Sequence, residues 1–435
     1  MNKIHFDNLQ ETLYKKTLSN GLDVYILPKK GFSKTFVTFT TKYGSIDRTF
    51  IPNGKREEVT VPDGIAHFLE HKMFEKEDGD VFQKFSALGG SANAFTAFTR
   101  TAYLFSATDH VYENTEVLLD FVQEPYFTEE TVEKEKGIIN QEITMYDDLP
   151  AWRLQFGTIE NLYHNHPVKI DIAGTIESID HITAEHLYEC YETFYHPSNM
   201  TLFVVGAVNP EEMMQFIEEN QNKRTFSEQE EITRLFPEEP TTVAETERTI
   251  EMDVSKPKFS FGMKCDRVQL SGQEMLTQEL AAELLFDILF GRTSEFYQNA
   301  YEDNLIDESY SYSFMQEYGF GFGIISSDTE YPEKLETSIR QLIEDMRTSW
   351  SITEEDLERI QKRKIGQFMR SLNSIEFIAN QFTRYQFNEM DLFNIVPTLE
   401  NITLDDLKAA FATMSDREKH TTFKIMPQEK TNETA

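Results

Sequence analysis

The residues with the clearest chemical meaning are His67-Phe68-Leu69-Glu70-His71. Residues four apart on a helix share a face, so the imidazoles of His67 and His71 can bind one metal ion. Glu70 lies on the same face, where it can take a proton from water at the metal and return it to a leaving group. Two imidazoles and a further carboxylate suit zinc best, with one coordination position left for water. The pattern therefore predicts metal-assisted hydrolysis, and the alternative is a helix with two surface histidines.

A third ligand has to come from another element, and one acidic helix offers two candidates. The stretch from Thr131 to Tyr146 is a predicted helix in which Glu135 and Glu142, seven residues apart, lie on one face. The other face is expected to carry apolar residues for the core: Ile138, Ile139 and Met145. An acidic stripe over an apolar one is also typical of a solvated helix. The residues alone leave the choice between the two carboxylates open.

The elements that must position these groups recur in the same order in both halves of the chain. In the first half, strands at 22–27 and 35–43 precede the histidine helix, and a buried strand near Thr201 closes the series. In the second half, a strand at 258–263, a helix at 278–290, an aromatic stretch at 310–325 and two further helices follow. This order predicts a weak internal duplication of an α/β unit within an α+β protein.

The chain length requires more than one core, because single cores stop growing at roughly 250–300 residues. The polar, acidic and proline-containing stretch 221–249 is the predicted linker of the 435-residue chain. It separates an N-terminal domain at 1–220, which carries the histidine motif, from a related domain at 250–426 that lacks the motif. Residues 427–435 are predicted to be a disordered tail.

The composition limits the partners. A formal net charge of −34 disfavours nucleic acid and anionic membrane surfaces as partners. Only two cysteines are present, far apart, which excludes a disulfide framework and fits a reducing compartment. The N-terminal residues have no apolar signal-peptide segment, and no run of 18 apolar residues indicates a membrane span. We therefore expect a cytoplasmic protein.

Several segments of the first half resemble one peptidase family: HFLEHKMFE, GGSANAFTAFTRTAYLF, EKEKGIINQEITMYDD and FYHPSNMTLFVVGAV. They are similar to the pitrilysin or insulysin-like inverted-zinc-motif metallopeptidases, in particular the half-length bacterial processing-peptidase type. The resemblance implies two duplicated domains, each a mostly antiparallel sheet covered by helices, that together form half of a clamshell. It also implies a zinc-dependent endopeptidase that cleaves short or unfolded peptides in a closed chamber.

The resemblance assigns roles to individual residues. His67, His71 and Glu142 match the zinc ligands, Glu70 matches the catalytic base, and Glu135 matches the residue that supports a ligand from behind. The family binds its substrate as an added strand along a sheet edge, since main-chain hydrogen bonds hold any extended peptide. The matching edge positions here are Asn93, Ala94 and Phe95.

One part of the family pattern is missing from the second half. Active members present an Arg and a Tyr that hold the substrate and stabilise the oxyanion. Tyr301 and Asp307 stand at the matching positions, with Tyr310 and Tyr312 nearby. The resemblance therefore implies a hetero-oligomer in which a related subunit supplies the Arg/Tyr pair, and a homodimer is possible. A non-catalytic scaffold or a peptide-binding subunit is the alternative function.

Overall fold

A computed structural model describes residues 1–428 of the chain. Of the predicted tail, residues 429–435 lie outside the described residues, whereas Pro427 is the last residue of a strand. The α-helices are α1 (Ile65–Met73), α2 (Val81–Ala87), α3 (Val111–Gln123), α4 (Glu129–Asp147), α5 (Pro150–Leu162), α6 (Ile176–Asp180), α7 (Ala184–Phe194), α8 (Pro210–Gln221), α9 (Gly272–Phe290), α10 (Glu295–Glu302), α11 (Pro332–Thr348), α12 (Glu354–Ser371), α13 (Ile375–Phe387), α14 (Ile395–Asn401) and α15 (Leu404–Met414).

The strands begin and end close to the alternating apolar stretches of the sequence. They are β1 (Asn2–Phe6), β2 (Glu11–Thr17), β3 (Asp23–Pro28), β4 (Thr35–Thr41), β5 (Thr49–Ile51), β6 (Val59–Thr60), β7 (Glu75–Lys76), β8 (Gly79–Asp80), β9 (Ser91–Thr96), β10 (Thr101–Ala107), β11 (Met200–Gly206), β12 (Thr233–Arg234), β13 (Glu247–Met252), β14 (Lys258–Lys264), β15 (Ser311–Glu317), β16 (Phe320–Asp328) and β17 (His420–Pro427).

The first compact unit contains the histidine motif and is built on a seven-stranded sheet. It comprises Met1–Ile143, Ile170–Phe236 and Ser371–Phe387. The strand order is β1-β2-β3-β11-β4-β10-β9, so β9 is an outer strand. The β11–β3 pair is parallel, and the other pairs of this sheet are antiparallel.

The second compact unit has a five-stranded sheet with the same plan. Its strand order is β13-β17-β14-β16-β15, with a parallel β13–β17 pair and antiparallel pairs elsewhere. In each unit a late strand is inserted between two early ones, with the parallel pair on one side. The predicted fold class, α+β with two duplicated and mostly antiparallel sheets, is confirmed.

Each sheet is covered by a helix from the other half of the sequence. The first unit includes α13, which packs on β11 and β4, and the second includes α5, which packs on β14 and β17. The compact units are therefore not contiguous in the chain, whereas the predicted domains are. The boundaries at 220 and 250 stay a prediction.

The stretch predicted as a linker is ordered along much of its length. Its residues up to Phe236 belong to the first unit, where β12 pairs with β5, and its residues from Pro237 belong to the second. Glu239 accepts hydrogen bonds from the backbone N–H groups of residues 164–166 at 2.7–2.9 Å. The polar composition of the segment predicted a linker, whereas these contacts show that Glu239 has specific hydrogen-bond partners in the fold.

The first unit's core lies around its central strands. Every residue of β4 and of β11 is buried, which is expected of strands covered on both faces. Phe68 and Leu69 of α1 pack into the same core as Phe39 and Val204. At about 1.5–3 kcal/mol for each large apolar side chain removed from water, this packing fixes α1 against the sheet.

One prediction about α4 is wrong. Ile138 and Met145 were expected in the core, but they are 47% and 51% exposed. The buried residues of α4 are Val132, Ile139 and Ile143. Ile138 lies four residues before Glu142 and Met145 lies three residues after it, so both share the face of Glu142 rather than the opposite one. The error came from treating every apolar residue of an amphipathic helix as a core residue.

Candidate metal centre

Helix α1 begins at a position whose backbone conformation and close packing both favour glycine. Gly64 caps the helix with φ +85°, in the left-handed region. A Cβ at Gly64 would lie 2.4 Å from the carbonyl oxygen of Ala173, so the loop that contains Ala173 crosses tightly over the start of α1. Ser178 of α6, which follows this loop, donates a hydrogen bond to the carbonyl oxygen of Asp63 at 2.9 Å and holds the loop against the start of α1. These contacts set where His67, Glu70 and His71 begin their turn of helix.

The two histidines of α1 and one carboxylate of α4 converge. His67 Nε2 lies 3.8 Å from Glu142 Oε1, and His71 Nε2 lies 3.6 Å from Glu142 Oε2. One ligand atom from each of the three residues lies within 4.8 Å of the others. Among the described residues, this is the group of His, Cys, Asp and Glu side chains with the spacing of a metal site.

Glu135 lies behind His71 rather than with the three converging groups. Its Oε1 accepts a hydrogen bond from His71 Nδ1 at 3.1 Å. A proton on Nδ1 leaves the Nε2 lone pair directed toward Glu142, which is the arrangement in which a carboxylate orients a metal-binding imidazole. The geometry thus separates the two carboxylates that the helical spacing alone could not distinguish.

The donor set fits zinc in type and spacing. Zinc bonds of about 2.0–2.2 Å at tetrahedral angles place neighbouring ligand atoms about 3.3 Å apart. The observed separations of 3.6 and 3.8 Å are close to that value and too long for hydrogen bonds. His67 Nδ1 is buried without a hydrogen-bond partner, so the ring gains little in this place from protein contacts alone. The three groups could therefore hold a cation between them.

Burial and neighbouring charges set the ionisation of the two imidazoles. Burial, with a smaller contribution from the charge of His71, lowers the pKa of His67 to about 3, so this ring is neutral and can bind a metal. Burial by itself also lowers the pKa of His71. The hydrogen bond that His71 donates to Glu135 and the negative charges of Glu70 and Glu142 outweigh that effect, and the pKa of His71 is raised.

Glu70 is held in a largely buried position beside the cluster. It is only 8% exposed, and Thr96 Oγ1 donates a hydrogen bond to its Oε2 at 2.9 Å. Burial raises the pKa of Glu70, and this effect exceeds the opposing influence of His71 and the Thr96 hydrogen bond. A raised pKa makes the carboxylate a stronger base. Thr96 was not among the predicted site residues, although it lies only two residues after Ala94 in NAFT.

The predicted substrate edge lies on β9. This strand pairs with β10 on one side and is the outer strand of its sheet. Asn93 is exposed, and its Oδ1 accepts a hydrogen bond from the N–H of Ala94 at 2.9 Å. The guanidinium of Arg100 lies 5.8 Å from the centre of the Phe95 ring. The edge has the geometry for an added strand, with one backbone donor covered by its neighbour's side chain.

The four residues near the expected Arg/Tyr pair have local contacts in the second unit. Tyr301 is 55% exposed and stacks on Tyr297. Asp307 forms an ion pair with Lys256 at 2.7 Å. The hydroxyl of Tyr310 donates to the carbonyl oxygen of Phe290 at 2.8 Å, and that of Tyr312 donates to Asp287 at 2.7 Å. The hydroxyls of Tyr310 and Tyr312 are therefore both engaged within their own unit.

Comparison with known proteins identifies the family. A model described as Insulinase (Peptidase family M16) matches residues 45–176, and one described as Peptidase M16 inactive domain matches residues 181–364. A Bacillus subtilis (strain 168) protein named "Uncharacterized zinc protease YmfH" is 56% identical over 425 residues, which is 98% of this chain and 99% of the relative. The chain belongs to the insulinase family, peptidase family M16. The predicted resemblance is confirmed.

Solved structures agree with this assignment of the M16 chain. A putative M16-like peptidase from Alicyclobacillus acidocaldarius is 38% identical, with a TM-score of 0.93 over 96% of this chain and 99% of that one. Pitrilysin has the same fold, with a TM-score of 0.76 and 16% identity. All of this M16 chain is covered, but only 47% of pitrilysin. Within residues 1–428, none of the helices is both long enough and apolar enough to cross a membrane.

Proposed function

We propose that this M16 chain is a zinc-dependent endopeptidase that cleaves short or unfolded peptides and that it is the zinc-bearing subunit of a dimer. The observation that carries the proposal is the convergence of two imidazoles and a carboxylate beside a buried second carboxylate and an outer strand. The relative with 56% identity is named a zinc protease, which supports the same chemistry.

The proposed roles follow from the contacts of each side chain. His67, His71 and Glu142 hold zinc, and Glu135 keeps His71 oriented through its Nδ1 hydrogen bond. When bound, zinc supplies polarisation of the scissile carbonyl and acidification of water. Glu70 takes the proton from the attacking water and returns it to the nitrogen of the leaving amine.

The substrate is proposed to add as a strand along β9. The backbone of Asn93, Ala94 and Phe95 would provide the hydrogen bonds, with the Asn93 side chain releasing the Ala94 N–H. Sequence preference would then be broad, because main-chain hydrogen bonds do not read side chains. An extended strand is required for this mode, so folded proteins are poor substrates. The net charge of −34 also favours cationic peptides over anionic ones.

The proposed partner is a related subunit that supplies the Arg/Tyr pair. The chain has Tyr301 and Asp307 at the matching positions, and the hydroxyls of Tyr310 and Tyr312 already donate to protein acceptors. The length of the chain, about half that of pitrilysin, is consistent with half of a two-part clamshell. A homodimer in which one of these tyrosines is released is the second outcome to test. We place the protein in the cytoplasm, where its two buried free cysteines would stay reduced.

Cleavage of a mixed set of quenched, unstructured peptides by the purified chain tests the proposal. The controls are a chelator and Glu70→Gln, each of which should abolish cleavage. Cleavage by the chain alone that both controls remove would support the peptidase and refute the need for a second type of subunit. Absent cleavage with one zinc per chain would support the missing partner. Absent cleavage with no bound zinc would refute the proposal and favour a non-catalytic, peptide-binding subunit.

A further inference from the structure

The outer strand β9 is joined directly to the proposed base. Thr96, the last residue of β9, donates its hydroxyl hydrogen bond to Glu70 Oε2 at 2.9 Å. We propose that Thr96 is a positioning residue, which fixes the orientation of the Glu70 carboxylate for proton transfer and makes that orientation depend on β9. This inference rests on the proposed peptidase function and adds a residue to it.

Strand alternation explains why Thr96 reaches Glu70. Successive side chains of a strand point to opposite faces, so Ala92, Ala94 and Thr96 share one face of β9. Ala92 and Ala94 pack against the core cluster that includes α1, while Asn93 on the other face is exposed. Thr96 therefore points toward the helix that carries Glu70. A peptide that pairs with β9 would contact the same strand that holds the base.

The position of Thr96 is fixed by backbone contacts on several sides. It pairs with Thr101 of β10, and the hairpin closes through a hydrogen bond from Ala97 N to Arg100 O at 2.8 Å. The backbone N–H of Ser45 donates to Ala97 O at 3.1 Å and holds the hairpin from outside. Because the backbone of Thr96 is held in place by these hydrogen bonds, its hydroxyl can orient the Glu70 carboxylate with little further loss of conformational entropy.

The Glu70 carboxylate needs such a partner. A buried carboxylate without hydrogen bonds is costly, and Glu70 is 8% exposed. A bond to one oxygen stops rotation of the carboxylate and leaves the second oxygen for a proton. Loss of this orientation is expected to lower the rate by about 10- to 100-fold, because a catalytic group that is displaced from its productive geometry can cost that much.

Substitution of Thr96 separates this role from a structural one. Thr96→Val keeps the size and β-branching but removes the hydroxyl, whereas Thr96→Ser restores the hydroxyl without the methyl group. We expect kcat to fall by about 10- to 100-fold in Thr96→Val, with KM and zinc content unchanged. Thr96→Ser should recover most of kcat. Thr99→Val, in the turn of the same hairpin, is the matched control and should retain wild-type kcat.

A second measurement needs no turnover, so it also applies if the chain requires a partner to cleave. A peptidyl hydroxamate binds a metal and passes a proton to a neighbouring carboxylate, and its affinity therefore reports the base. Thr96→Val should weaken hydroxamate binding by about 10-fold in the zinc-loaded chain with Glu70 present. In the Glu70→Gln background the same substitution should have no effect, because Thr96 acts through Glu70.

The outcomes distinguish the two proposals. Zinc- and Glu70-dependent hydroxamate binding that Thr96→Val leaves unchanged would refute the role of Thr96 and leave the peptidase proposal intact. An equal loss in both backgrounds would also refute it, since Thr96 would then act through the strand alone. Hydroxamate binding that depends on neither zinc nor Glu70 would overturn both proposals, because there would be no base to position.

Discussion

Removal of the Glu135 carboxylate is the sharpest test of how the metal centre is built. Glu135→Gln keeps the shape of the side chain but replaces the charged acceptor of the His71 Nδ1 hydrogen bond, which is 3.1 Å long. Residues that hold a metal-binding imidazole in this way typically contribute 10- to 100-fold to metal affinity, or about 1.4–2.7 kcal/mol. Glu135 is 12% exposed, so solvent screens this bond only partly. We therefore expect a loss toward the upper end of that range, about 50-fold.

The assay is competition for zinc with a chromophoric chelator of known affinity at neutral pH. Glu133→Gln is the matched control, because Glu133 lies on the same helix but is 65% exposed and pairs with Lys136. It should bind zinc as tightly as the wild-type chain. Glu142→Gln sets the other limit, since it would remove one of the proposed ligands and lower the affinity far more.

Two results would refute this reasoning. If Glu135→Gln binds zinc as tightly as Glu133→Gln, the hydrogen bond to His71 does not support the metal. If Glu135→Gln loses as much affinity as Glu142→Gln, Glu135 is itself a ligand and does not only orient His71. Thermal unfolding of the metal-free variants provides the check that lost affinity is not lost folding.

Three further predictions concern stability. Gly64→Ala should destabilise the protein by about 3 kcal/mol, because it adds a Cβ at positive φ against the Ala173 carbonyl. Gly54→Ala is also at positive φ but has no atom within 4 Å of its Cβ, so it should cost less, and urea unfolding of the two variants measures the difference. Glu239→Gln should cost about 3 kcal/mol at pH 7, since Lys264 is 3% exposed and loses its charged partner. Burial by itself raises the pKa of Glu239, but the hydrogen bonds from Lys264 and the backbone outweigh it and lower that pKa. This stabilisation is therefore present above the unfolded pKa and is lost as pH falls through the folded one, so the gap between the urea midpoints of wild type and variant should shrink as pH falls below the ordinary glutamate pKa of about 4.3. Zinc at about 1,000 times its Kd should stabilise the chain by about 4 kcal/mol, and calorimetry with and without a chelator measures it; equal melting temperatures would contradict a bound metal.

The sequence predicted the elements well where their patterns are strong. The predicted histidine helix is present, and the strands predicted at 35–43 and 258–263 lie within a few residues of those bounds. Helix α9 begins at Gly272, earlier than the predicted residue 278, because its buried residues lie all around the helix and give no periodic signal. The prediction that Ile138 and Met145 face the core was wrong, since hydrophobicity alone does not tell which face of a helix meets the core.

Most residues of the candidate site could also be proposed from the sequence. The spacing of His67, Glu70 and His71 places them on one helical face whatever the rest of the chain does, since helical geometry is local. Which of Glu135 and Glu142 meets the imidazoles depends on how α4 packs, because both share a face. Family resemblance supplied that choice, and side-chain distances give it a physical basis.

What the sequence determined by itself is local: the metal-binding types of residue, their spacing, the strand and helix patterns, and the acidic surface. What only the tertiary structure decided depends on contacts between residues far apart in the chain. The exchange of α5 and α13 between the two sheets, the link from Thr96 to Glu70 and the anchoring of the acidic stretch by Glu239 are all of this kind. Such contacts leave no periodic signal, because they form where two separately specified surfaces meet, and neither surface encodes its partner's position.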